Sequence, residues 1–343
     1  MIHRPALTGD AERDRRVLQE ALDTPSPGKL ELPPGEHVIA DGLRVPGGWT
    51  IRGASVAGAN GSPPSSWLAS AGRSGHPVLH VLGSDVSISD LGLRPPPADP
   101  GEHGGDRGTA VTIGEYLYRE TPEWIERVDI RRVHVSRPPG DRAANCVAVM
   151  GAVREVTLHD LTIRGGYTGV AVHWGAVGVD VASIAGPTYH PHHLRITDLR
   201  VRDAVEGFYL SSVHDVQVLG CCLRDVEMGF RLLPGDNTDR FVAAAPGEIG
   251  ARIEIADACV RWNGPQYAIR AAGWGRSEVD GVVSLLAYHD AVIRDCTLTG
   301  AGSSADWSPV RMEQASGVEL RDIRVETNSA PVTGPCCALG AKA

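Results

Sequence analysis

Seven segments of this chain follow one scheme, and that repetition limits the possible folds more than any other feature of the sequence. They are SDVSISDLGL from Ser84, REVTLHDLTI from Arg154, HHLRITDLRV from His192, HDVQVLGCCL from His214, ARIEIADACV from Ala251, HDAVIRDCTL from His289 and SGVELRDIRV from Ser316. Each reads as a turn, an alternating strand, a polar or small bend and a second short strand. Most are followed by a Gly-containing turn and a third strand, such as VAVM from Val147, VAVHW from Val170, FYLSS from Phe208, FRLLP from Phe230, IRAAG from Ile269 and VRMEQ from Val310. From Val147 to Val170 is 23 residues and from Phe208 to Phe230 is 22, the length of one coil of three short strands. A coil cannot bury its inner face alone, so successive coils must stack and place equivalent strands in parallel sheets. A propeller blade needs four strands and typically about 40 residues, which these intervals do not supply. The expected fold is all-β, a single-stranded right-handed parallel β-helix occupying 1–343 as one domain. An amphipathic capping helix is expected over 10–23, coils over 30–325 and an irregular tail over 326–343.

Composition agrees with many short strands and turns: aromatics are only 5%, with 41 Gly and 24 Pro. A net charge of -9 and a pI near 5.8 argue against a general nucleic-acid binder, which needs clustered Lys and Arg. No stretch reads as a membrane span. The charged N-terminus does not read as a secretory signal. Seven cysteines, with Cys221-Cys222 and Cys336-Cys337 adjacent, lack the spacing of a disulfide framework or zinc knuckle. The expectation is reduced thiols in a cytoplasmic protein.

The run GDAERDRRVLQEALD, then LELPPGEHVI, then LRVPGGWTIRGAS, over residues 9–54, resembles the opening of pectate-lyase-like β-helix proteins, where a helix covers the open end of the first coil. Asn237-Thr238-Asp239 resembles a motif of polygalacturonase-type glycoside hydrolases, but the companion Asp-Asp, Gly-His-Gly and Arg-Ile-Lys motifs are absent in the expected order. The pectate-lyase side of the superfamily uses Arg or Lys as base, with calcium neutralising a uronate carboxylate. The arginines of this chain match in type, while no acidic cluster forms a clear calcium site. No cofactor and no metal are expected.

Three intervals between third strands are longer, 38 to 41 residues, and imply insertions near 174–193, 234–251 and 273–287. Insertions on a solenoid map to loops, often at its binding face. In each third strand the first and third residues are apolar and point inward, so the second and fourth point outward. The second positions are Ala148, Ala171, Tyr209, Arg231, Arg270 and Arg311; the fourth are Met150, His173, Ser211, Leu233, Ala272 and Glu313. Three arginines on consecutive coils repel unless carboxylates or an anionic ligand lie between them. Either an anion-binding groove results, or Asp236, Asp239 and Glu313 pair with the arginines as a solvated ladder.

The substrate-binding candidates are Arg231, Arg270 and Arg311 with Trp174, His192 and Trp274 from the insertions, since aromatic and charged side chains together suit sugars and other flat ligands. The proton-transfer candidates are His173, Tyr209, Asp236, Asp239 and Glu313. The cluster YHPHH at 189–193 reads as a polar loop rather than a metal site. His214-Asp215 and His289-Asp290 occupy the same turn of the repeat and read as turn residues, and Cys221 and Cys222 read as core. These features predict a carbohydrate-active enzyme using acid–base chemistry on an acidic or polyhydroxylated substrate. The alternatives are a cofactor-independent isomerase or cyclase of small-molecule biosynthesis and a non-catalytic binding or assembly module. A polymer enzyme requires an open groove along several coils, a small-molecule enzyme a closed pocket, and an assembly module a large apolar patch.

Overall fold

The computed structural model describes residues 1–54, 63–72, 75–97, 107–115, 123–138, 140–174, 188–235, 245, 247–264, 267–273, 276–279, 282–285, 287–300, 308–313 and 315–327. These form a right-handed parallel β-helix. A typical coil runs from a first-sheet strand, Val153–His159, through a bend to a second-sheet strand, Thr162–Arg164, and then to a third-sheet strand, Thr168–His173. Strands Val86–Arg94 and Ile125–Ser136 pass through the first bend unbroken, so the first two sheets merge into one of 19 described strands. The third sheet has nine, extending the six read from sequence by Leu43–Val45, Leu79–Val81 and Val111–Glu115 toward the N-terminus.

The bend has a local cause. Asp90, Arg132, Asp160, Asp198, Asp257, Asp295 and Asp322 occupy equivalent places in seven coils, all with φ between 51 and 57 except Asp322 at 50. This left-handed conformation is most accessible to Gly, Asn and Asp, and Gly220 fills the same place in the remaining repeat. A second column of positive φ, including Arg127, Glu155, His193, Asp215, Arg252 and Asp290, turns the chain into the first sheet. Asp215, at the start of strand His214–Leu219, and Asp290 thus carry the turn that leads into the first sheet, where the repeat places both His-Asp pairs.

Alternation fills the core. Val149, Val172, Leu210, Leu232 and Ala271 pair rung to rung in the third sheet and all are buried. Phe208 and Phe230 stack within it at 5.1 Å. Cys221 is fully buried and Cys222 nearly so, in agreement with a core reading. Helix Ala11–Leu22, N-capped by Asp10, closes the first coil by burying Leu18 and Leu22, each contributing roughly 1.5–3 kcal/mol. Asp14, also buried, accepts bonds from Thr8 N and Gly9 N, both at 2.8 Å, and ties the preceding segment to the helix.

At the other end, Met312, Leu320 and Val325 pair with the buried Ala271, Ile293 and Leu298, yet are 36%, 40% and 42% exposed. The core column thus reaches the surface at the last described coil. Of the tail expected over 326–343, residues 328–343 lie outside the described residues, as do 175–187 and most of 236–246 in the expected insertions. The third insertion includes an antiparallel hairpin, Arg276–Val279 with Val282–Leu285. No helix among the described residues is long and apolar enough to cross a membrane.

Candidate active site on the third sheet

The outward column of the third sheet has the register expected from alternation: Ala148, Ala171, Tyr209, Arg231, Arg270 and Arg311 pair successively. The arginines are compensated by carboxylates. Glu313 pairs with Arg270 at 2.9 Å and also with Arg311, whose guanidinium further meets the Tyr267 hydroxyl. These partners hold the Glu313 carboxyl below its usual range, Arg270 contributing most. The far end of the column is therefore the solvated ladder rather than three open cations.

Arg231 differs. Its guanidinium lies 5.0 Å from the centre of the Tyr209 ring and donates to Glu206 at 3.2 Å. Glu206 is 4% exposed and accepts a second bond from Thr168 Oγ1 at 3.0 Å. Burial raises its pKa, opposed by Arg231, Thr168 and Arg270, because removing a carboxylate from water disfavours the charged form more than these partners favour it. A carboxyl so placed can hold a proton above the ordinary carboxylate range and deliver it to a bound molecule.

The backbone explains why Glu206 faces outward. Thr168, Glu206 and Met228 pair in register, and each is followed by glycine: Gly169, Gly207 and Gly229. A Cβ at Gly207 would come within 2.6 Å of both Leu223 Cδ1 and Gly229 O, so only glycine lets the chain press inward directly after an outward residue. This irregularity shifts the alternation by one residue and hides Glu206 from period-two reading. The residue-Gly pair recurring at the start of these three successive third-sheet strands was the available signal.

His173 and Tyr209 lie on this same face, ring centres 6.2 Å apart. His173 and Trp174 are only 3% and 4% exposed. Thr112, Ala148, Met150, Ala171, Ser211, Leu233 and Ala272 are also buried, although alternation points their side chains away from the core. The outer face is thus largely covered across the middle coils, with Tyr209, Arg231 and Arg270 half-buried. Asp236, Asp239 and Trp274 lie outside the described residues.

The structure does not bring His192 to the arginines. It begins first-sheet strand His192–Thr197, stacks on His214 at 4.6 Å and meets Trp124 edge-on at 5.1 Å. His190, behind it, is buried, and desolvation lowers its pKa to about 3; that of His192 falls to about 4 for the same reason, helped by His214. Asp215 bonds His214 Nδ1 at 2.7 Å, while Arg252 grips both Asp215 oxygens and Glu248. His214, Asp215 and Glu248 lie close enough to hold a metal ion, but that guanidinium already supplies the cation.

No protein-family model matches the chain, and no curated relative matches it. Its fold, a right-handed parallel β-helix, is shared with solved structures. Among solved structures it is similar to endo-xylogalacturonan hydrolase from Aspergillus tubingensis, with 13% identity, 96% of this chain and 94% of that one covered, and a TM-score of 0.56. It is also similar to polygalacturonase from Erwinia carotovora ssp. carotovora, with 9% identity, 94% and 96% covered, and a TM-score of 0.50.

Proposed function

We propose that the protein is a carbohydrate-active enzyme performing acid–base proton transfer on a small polyhydroxylated substrate with an acidic group, held over the third sheet beside Glu206. The observation that carries this reading is Glu206, a carboxyl removed from water on the outward face of a coil, bonded to Thr168 and Arg231 and one coil from Gly169 and His173. Protonated, Glu206 serves as general acid and, once ionised, as base. Tyr209 and His173 extend the proton-transfer set, and Arg231 stabilises charge that develops on the substrate. The fold shared with two enzymes named for acting on galacturonans supports a sugar-like substrate. The largely covered middle coils favour a small molecule over a polymer lying along an open groove.

Proton transfer of the isomerase or lyase type also fits better than hydrolysis by Glu206 with Glu313. Those residues stand three coils apart, about 14 Å along the stack at roughly 4.8 Å per coil, and Glu313 is further offset along the strand because it lies in the column of Ser211. Two-carboxylate hydrolysis needs about 5–9.5 Å. The test is turnover of uronic-acid monosaccharides and disaccharides in deuterated water, beside polygalacturonan. Carbon-bound deuterium in an isomerised product, or an unsaturated uronate with its leaving group released by elimination, is expected and is lost in Glu206→Gln. Depolymerisation of the polymer unaffected by Glu206→Gln would overturn the reading.

A further inference from the structure

We infer that the cleft beside the entrance to the third sheet is a binding subsite for a neutral, polyhydroxylated ring, the part of the substrate that does not carry the acid. This rests on the reading of Glu206 above and names what lies next to it. The cleft measures about 370 Å³, within the range that holds a small ligand. Its walls include Arg142, Arg164, Gly165, Asp203, Asp225 and Asn263, contributed where successive coils leave the second sheet.

Its position follows from register. Thr168, Glu206 and Met228 form one column, so Tyr167 and Glu227 stand in the column just before it, with Asp203 and Asp225 two residues further back. Asp203 stands three residues before Glu206 across the corner, so at about 3.3 Å per residue the two are at most roughly 10 Å apart along the chain, within the span of one or two sugar rings. The Tyr167 carbonyl accepts the Glu206 backbone N–H at 2.6 Å, and Arg142 pairs with Glu227, so both boundary residues are anchored. The middle coils are closed beyond His173, Ser211 and Leu233, whereas this side is open: Arg164 and Asp203 are about half exposed.

The charges select the ligand. Arg142 is paired with Glu227, Arg164 with Asp203 at 3.2 Å and Arg261 with Asp225 at 3.2 Å. An anion entering here must displace a carboxylate from its arginine. A hydroxyl group can instead donate to a remaining carboxylate lone pair and accept from a spare guanidinium N–H, leaving every pair intact. Asn263 adds an amide able to do both.

The test titrates the full-length protein with D-galactose and D-xylose and, separately, with D-galacturonate, followed by ligand-observed NMR. Saturable binding of a neutral sugar, weakened at least 10-fold in Asp225→Ala and Asn263→Ala but kept in Glu206→Gln, is expected. Unchanged melting temperatures of the two cleft variants exclude misfolding as the cause. The inference is overturned if no neutral sugar binds, if the cleft variants bind it as well as wild type, or if galacturonate competes for the same residues with higher affinity. Turnover surviving in Glu206→Gln would instead remove the acid–base role and leave the subsite standing.

Discussion

A carboxyl group shut away from water keeps its proton to higher pH than an exposed one, and Glu206 is so placed while Glu313, half-exposed between two arginines, is shifted the opposite way. The native state therefore holds a proton on Glu206 where the unfolded chain has released it. This contribution to stability declines as pH rises from the ordinary Glu value of 4.5 through the raised one. If Glu206 is the acid, turnover falls over the upper part of the same window. Replacing it by Gln is expected to lower kcat about 10²–10⁴-fold, read from initial rates across a pH series. For Glu313→Ala the expected stability change is below about 1 kcal/mol, because the pair is solvent-screened. Binding of inorganic phosphate, followed by calorimetry, should strengthen once Arg270 and Arg311 lose that carboxylate; unchanged binding would show that the ladder attracts no anion. Arg231, Arg270, Arg311, Tyr209 and Glu313 were legible as one outward face because strand alternation and repeat length are written locally. Glu206 was not, because the glycine after it breaks the alternation on which that reading depends.

At the scale of single elements, the turns decide which side chains meet. Gly207→Ala places a Cβ against Leu223 and the Gly229 carbonyl, and overpacking of this kind costs about 1–3 kcal/mol. Denaturant melts should show that loss, and Glu206 should shift enough to lower turnover beyond what the stability loss explains. Arg137 closes another turn from inside: its buried guanidinium bonds Asp141 at 2.9 Å and the carbonyls of Gly108 and Asn145. Removing one partner of such a buried pair costs about 3–5 kcal/mol, so Arg137→Ala should move the urea midpoint by far more than substitution of an exposed arginine such as Arg164. The histidine turn gives a pH signature. Because His190 and His192 have folded pKa values lowered to about 3 and about 4, the unfolded chain takes up protons first, and stability is lost as pH falls below about 6.5. The melting temperature of wild type should drop between pH 7 and 4.5, and His190→Gln should reduce that drop; an equal drop in both would remove His190 from the cause. Sequence placed the adjacent histidines where a polar loop meets the repeat strand from His192, but not the packing of His192 against His214 and Trp124, since insertion length does not say which side chains meet across a corner.

Across the whole molecule the two ends are unequal. Leu18 and Leu22 seal the first coil, and Leu18→Ala should cost about 2–5 kcal/mol. At the last described coil Leu320 and Val325 remain exposed in core positions, so amide exchange should be fastest in Val318–Arg321 and Arg324–Thr327 and slowest in the middle coils. Uniform protection along the stack would contradict this. The sequence alone determined the solenoid, because a coil length of 22 or 23 residues, polar or small bends and alternating apolar residues are all short-range patterns. It also determined the capping helix and the alignment of the arginine column. Tertiary structure alone decided that Glu206 is buried against Arg231, that the arginines beyond it are already paired, and that His173 and Trp174 are closed from solvent. Burial and ion pairing depend on what neighbouring coils and inserted segments place over a side chain, and that proximity joins residues tens of positions apart without leaving a periodic trace.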